Sequence, residues 1–153
     1  MHEVITPKNL AEYEAFIQSH PKGHFLQSSL WAPVKPSWQW AAVCTRDEQG
    51  DIRGAMSFLI RKMPGLPYTL MYSARGPVCD IHDEEALAAL AAAAASLAKK
   101  HKAYALKLDP DVLSSDTRFP AILQKLGFAH HPGNKNFDGV QPNYVFRLDI
   151  RGK

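Results

Sequence analysis

Residues 103–112, AYALKLDPDV, constrain the fold more than any other stretch, because an apolar strand pattern ends there on two carboxylates separated by one proline. Tyr104, Leu106 and Leu108 alternate with Ala103, Ala105 and Lys107, the period of two that gives a strand two distinct faces. Pro110 stops the strand, since proline has no N–H for a sheet ladder and holds the preceding residue in extended geometry. Asp109 is therefore expected where the sheet ends and the chain emerges, a position at which binding sites are commonly built. Asp109 and Asp111 also suit an Asx-type turn, so the Asp-Pro-Asp triplet alone does not separate a turn from a site.

Immediately before this strand lies the longest helical pattern, 84–100. It starts acidic after Asp83 and ends on Lys99 and Lys100, matching the helix dipole at both ends. Its alanines supply propensity, and Leu87, Leu90, Ala94 and Leu97 form a stripe able to lie flat on a sheet.

The rest of the chain supplies the sheet. Residues 1–6 read as a first strand, with Thr6 as N-cap and Pro7 at the first position of a helix that buries Leu10, Tyr13, Phe16 and Ile17. That helix stops before Pro21 and Gly23, and a short helix capped by Ser28 or Ser29 follows, with Lys35 at its far end. Residues 38–45 and 52–62 form a hairpin, and 64–67 turn the chain into a strand over 68–72. The next loop sets Arg75 beside Gly76 and Pro77, which can bring a guanidinium and backbone close to a ligand oxyanion, or simply build a Gly-Pro turn. A helix through Pro120, Ile122, Leu123 and Leu126 ends at Gly127, a strand starts over 128–131, 132–141 is a polar loop, and 143–150 is a last strand. The order predicts one α+β domain over 1–150 with a tail at 151–153: a mixed sheet of six or seven strands flanked by three or four helices, as in the GNAT type of N-acyltransferase fold.

Several function classes drop out. There is no apolar run of about 18 residues and no signal-peptide pattern at the N-terminus, so a cytoplasmic protein is expected. Cys44 and Cys79 lack CxxC spacing and read as reduced core residues. The histidines do not form a metal site: Pro21 and Gly23 prevent a helical turn from aligning His20 with His24, and His130 and His131 point to opposite faces of a strand. A net charge of +3 suits an anionic ligand.

Four segments together resemble the FemABX family, the aminoacyl-tRNA-dependent transferases that add amino acids to the peptide stem of peptidoglycan precursors. They are FLQSSLWAPVK at 25–35, YSARGPV at 72–78, LKLDPDV at 106–112 and VQPNYVFRLDI at 140–150. The resemblance implies a GNAT-like domain whose cleft holds the muropeptide of lipid II or of UDP-MurNAc-pentapeptide, with aminoacyl-tRNA as co-substrate and no other cofactor. It implies that Lys35 contacts the substrate diphosphate, that Tyr72, Tyr104 and Asp109 line the muropeptide site, and that Arg75 lies near the cleft. A compact cation suits a diphosphate, and a carboxylate suits an amine nucleophile, so Asp109 is the candidate catalytic base or positioning group. Family members continue into a second GNAT-like domain, so this chain resembles the first domain alone, peripheral to the membrane at most.

Two other readings use the same fold. An acetyl-CoA-dependent N-acetyltransferase needs backbone N–H groups at a helix N-terminus for pyrophosphate, and Asp83-Glu84-Glu85 places negative charge there instead. A non-catalytic muropeptide-binding module would use its exposed strand at 143–150 to pair with a second copy as a homodimer.

Overall fold

A computed structural model describes residues 2–130. Five strands form one mixed sheet in sequence order: β1 (His2–Val4), β2 (Gln39–Arg46), β3 (Ile52–Lys62), β4 (Thr69–Ala74) and β5 (Ala103–Asp109). The first four are antiparallel neighbours, and β5 lies parallel to β4 because α2 (Glu84–Lys100) carries the chain back along the sheet between them. Helices α1 (Leu10–Ser19) and α3 (Arg118–Lys125) complete the regular elements.

The two sheet faces have different cores. On one, Leu87, Leu90, Ala94 and Leu97 of α2 are buried against Val43, Met56, Phe58, Ile60 and Met71. On the other, Tyr13 and Ile17 of α1 bury Ala42, Cys44 and Ala55. Cys44 and Cys79 are fully buried free thiols. No helix of the described residues is long and apolar enough to cross a membrane.

Several expectations hold in detail. Strand β5 ends on Asp109, and α2 spans Glu84–Lys100 with Asp83 as N-cap. Gly127 takes φ +90°, with its N–H on the Gln124 carbonyl at 3.0 Å and the Phe128 N–H on the Leu123 carbonyl at 3.0 Å, a Schellman end to α3. Others are corrected. Thr6 is not an N-cap: α1 starts three residues later than Pro7, at Leu10, because the Asn9 side chain turns back to accept from the Thr6 N–H at 2.7 Å. The expected short helix is two 3-10 turns, Phe25–Gln27 and Ser29–Val34, the second capped by Ser28 and containing Pro33. Strand β4 runs on through Ser73 and Ala74, which read as loop. Residues 128–130 carry no regular structure, and the strand at 143–150, with the pairing of copies expected from it, lies outside the described residues.

Candidate functional site

Parallel pairing places Tyr72 opposite Lys107 and Ala74 opposite Asp109, so Tyr72 and Asp109 project from the same face, one step apart diagonally. The Tyr72 hydroxyl donates to Asp109 Oδ2 at 3.2 Å. This face is the α1 face: Tyr72 lies opposite Leu59, Leu59 opposite Trp40, and the Trp40 ring meets Tyr13 of α1 edge-on at 5.7 Å. Beyond the reach of α1, half-buried Leu70, Tyr72 and Asp109 and exposed Lys107 remain open to solvent.

The segment after β4 is fixed to this carboxylate. Arg75 adopts φ +58°, a left-handed conformation that side-chain-bearing residues rarely take, and its N–H donates to the Asp109 carbonyl at 2.8 Å. Val78 then returns to β3, exchanging two hydrogen bonds of 2.9 Å with Ala55. From the other side, the Lys22 ammonium donates to the Asp111 carbonyl. The Asp-Pro-Asp segment is thus held at Asp109 and at Asp111.

Gln27 is the strand-bridging residue behind the site that sequence reasoning missed. Strands β3 and β4 pair only from Leu59–Tyr72 to Lys62–Thr69 and then diverge. The Gln27 amide fills the gap: Oε1 accepts from the Ser57 N–H at 2.8 Å, and Nε2 donates to the Ala74 carbonyl at 2.5 Å and to Ser73 Oγ at 3.3 Å. Its own carbonyl accepts from the Tyr13 hydroxyl at 2.5 Å, and burial holds that phenol well above its usual range, so it stays a donor. Gly76 is required beside it, since a Cβ there would lie 2.4 Å from Ser73 Oγ and 2.8 Å from Gln27 Nε2. The available signal was a glutamine inside the apolar run Phe25-Leu26-Gln27, fully buried despite its polarity.

Lys35 closes the second 3-10 turn, its N–H on the Ala32 carbonyl at 3.0 Å and its ammonium 6.0 Å from the Trp31 ring centroid. Glu14 of α1 ties this segment down by accepting from Ser28 Oγ at 2.6 Å and from the Ser29 N–H at 2.7 Å. The 3-10 segment that ends at Lys35 is thus anchored to α1, the helix packed on the sheet face that carries Tyr72 and Asp109. Tyr104 stands apart from them. It is 75% exposed at the start of β5, where the register slips past it, and five residues before Asp109, about 17 Å along an extended strand.

His20, His24 and the start of α2 are committed locally. His20 and His24 each accept a backbone N–H through Nδ1, from Lys22 at 3.0 Å and Leu26 at 3.2 Å. Among the described residues no three His, Cys, Asp or Glu side chains gather into a metal-binding group. The α2 N-terminus is filled by its own cap, with Asp83 Oδ1 accepting from the Ala86 N–H at 3.0 Å and Arg53 bridging Asp83 at 2.6 Å and Glu85 at 2.7 Å. Burial pushes the Asp83 carboxyl up, but the Ala86 N–H and Arg53 outweigh it and hold it below its usual range. That leaves little there for a pyrophosphate.

Comparison with known proteins gives the family. The lipid II:glycine glycyltransferase of Staphylococcus aureus (strain bovine RF122 / ET3-1) is 42% identical over 139 residues, covering 88% of this chain and 32% of that protein. The protein of the same name from S. aureus strain NCTC 8325 / PS 47 matches with the same identity and coverage. The crystal structure of FemX superposes with a TM-score of 0.77 at 40% identity, covering 85% of this chain and 32% of that one. A probable acetyltransferase (TM-score 0.62, 10% identity, 97% of this chain and 98% of that one) shares the GNAT-like α+β fold. So does a ribosomal-protein-alanine N-acetyltransferase of Brucella melitensis biovar Abortus 2308 (TM-score 0.59, 16% identity, 97% of this chain and 99% of that one). The chain spans about a third of the length of the relatives and of FemX. Residues 8–153 match the FemAB family, and with these relatives the chain belongs to it.

Proposed function

We propose that this chain is a GNAT-like unit that holds the acceptor in aminoacyl transfer from tRNA to the peptide stem of a peptidoglycan precursor, in the cytoplasm. The observation that carries the reading is the Tyr72–Asp109 hydrogen bond on the α1 face of the sheet, within a family whose named relatives are lipid II:glycine glycyltransferases. In this reading the stem amine lies against Asp109, which orients it or takes its proton as the acyl carbon is attacked. Tyr72 steers the carboxylate, and Lys35 meets the diphosphate. Arg75 and Tyr104 flank the bound precursor at opposite ends of β5. The chain matches only 32% of the relatives' length, so we assign the donor aminoacyl-tRNA to parts of the reaction outside this span. By itself the chain is expected to bind precursor weakly and to transfer slowly.

The test is titration with UDP-MurNAc-pentapeptide, followed by transfer from charged tRNA. Saturable binding weakened about tenfold or more by Lys35→Met supports the reading, a charge-assisted contact being worth about 1.5–3 kcal/mol. Binding indifferent to both Lys35→Met and Asp109→Asn would remove it. Precursor binding without transfer, in the presence of charged tRNA, would leave a non-catalytic recognition module.

A further inference from the structure

Along the strands the carboxylates of the described residues gather toward one end, where Arg46, Arg53 and Arg118 pair with them, while the other end is basic. Where β3 stops and β4 and β5 begin, the surface carries Arg61 and Lys62, the adjoining last turn of α2 adds Lys99 and Lys100, and the turn into β5 adds Lys102. These parts adjoin directly: the Thr69 N–H donates to the Lys102 carbonyl at 3.1 Å and Thr69 Oγ1 to the His101 carbonyl at 2.9 Å. No Asp or Glu among the described residues lies at this end, and no ion pair among the described residues involves these cations. The carboxylates lie instead at the opposite end, in the 47–51 turn, at the α2 start and from Asp109 to Asp116.

The same basic end exposes apolar side chains. The turn 63–68 presents Leu66 (48% exposed) and Tyr68 (46% exposed), and Tyr104 stands out beside them at the start of β5. Trp38, just before β2, holds the Arg61 guanidinium 5.6 Å above its ring. Lysines around a protruding leucine, with phenols whose polar tips stay wet, form the surface that sits at the boundary between headgroups and acyl chains. Each lysine near an anionic leaflet adds attraction. Nucleic acid would also meet the cations, but it has no use for an exposed aliphatic side chain on a Pro-Gly-Leu-Pro turn.

We propose that this end of the sheet docks on an anionic phospholipid bilayer, with Leu66 and Tyr68 entering the interface and the lysines on the headgroups. The Tyr72–Asp109 face then stands upright from the membrane, with Lys35 nearer to it than Asp109. The proposal deepens the reading above and rests on it for one consequence, that the acceptor is lipid-linked.

The experiment is vesicle flotation with equal parts of phosphatidylglycerol and phosphatidylcholine, against phosphatidylcholine alone. The wild type is expected to float with the anionic vesicles only, and less as salt is raised. A Lys62→Gln/Lys99→Gln/Lys102→Gln variant and a separate Leu66→Ser/Tyr68→Ser variant are each expected to lose about tenfold or more in binding. All substituted side chains are surface groups, and the two variants are read independently, so a folding defect in one leaves the other to decide. Flotation with neither vesicle, with both alike, or with either folded variant floating like wild type overturns the proposal. Loss confined to the lysine variant, accompanied by loss of bulk tRNA retention on filters, assigns the end to nucleic acid and overturns it as well. UDP-MurNAc-pentapeptide titration of the same variants is expected to be unchanged, so a failure of precursor binding is distinguishable from a failure of docking.

Discussion

The Tyr72 hydroxyl reaches Asp109 because the two residues sit on neighbouring strands that run the same way, with Asp109 two residues beyond the direct partner of Tyr72. A phenol is long enough to span that diagonal, whereas an aliphatic side chain would leave the carboxylate without this donor. The parallel arrangement depends on α2 returning the chain along the sheet, so the pair is a product of topology as much as of residue type.

Asp109→Asn is expected to lower the rate of aminoacyl transfer about 100-fold or more with little change in KM, the signature of a group that acts on the reacting amine. Tyr72→Phe is expected to cost about tenfold, the value of one hydrogen bond to a charged acceptor. Transfer from charged tRNA to UDP-MurNAc-pentapeptide measures both.

Gln27→Ala is expected to strand the Ser57 N–H and the Ala74 carbonyl in the interior, at about 1–3 kcal/mol each. Thermal denaturation should show a Tm lower by roughly 5–15 °C. Gly76→Ala, which drives a methyl group into the same amide, should lower Tm in the same direction.

Arg46 holds the Glu3 carboxyl and the Glu12 carboxyl below their usual range by donating to both, at 2.6 Å and 2.5 Å. Groups with depressed folded-state pKa values stabilise the fold above their unfolded values, about 4.3 for glutamate, and that contribution is lost as pH falls through the depressed values. An Arg46→Met variant should therefore melt below wild type at pH 7, with the gap closing under pH ~4 as measured by melting curves across the acid range.

Both cysteines are buried, and desolvation pushes each thiol up to about 12. Neither should react with an aromatic disulfide reagent at neutral pH in the native protein, and both should react once denaturant is added. Rapid labelling of the folded protein would contradict the buried placement.

Elements with strong local signals were legible in the sequence. The dipole-matched ends of α2, the stop at Pro110 and the left-handed Gly127 each follow from the residues themselves. The start of α1 was not, because Asn9 competes with Thr6 through a side-chain hydrogen bond that no periodicity reveals. Within the site, Asp109 was legible as a strand end and its pairing with Tyr72 was not, since the register of β4 on β5 is a tertiary fact. Gln27 stayed hidden because its partners lie 30 and 47 residues away. The basic end is likewise invisible along the chain: Lys62 and Lys102 come to one end of the sheet only because Thr69 pairs with Lys62 on one side and bonds the Lys102 carbonyl on the other.

The return of Val78 to Ala55 gives the loop after β4 the mechanics of a strut. Asp109 hangs from Arg75, Arg75 from that strut, and the strut from strand β3, which Gln27 joins to β4 through its side-chain amide and to Tyr13 of α1 through its backbone carbonyl. The amide protons of Arg75 and Val78 should accordingly exchange with deuterium as slowly as those at the centre of the sheet. A carboxylate suspended in this way inherits its position from the whole fold, so a loosening as remote as the packing of α1 would be felt at its oxygen atoms.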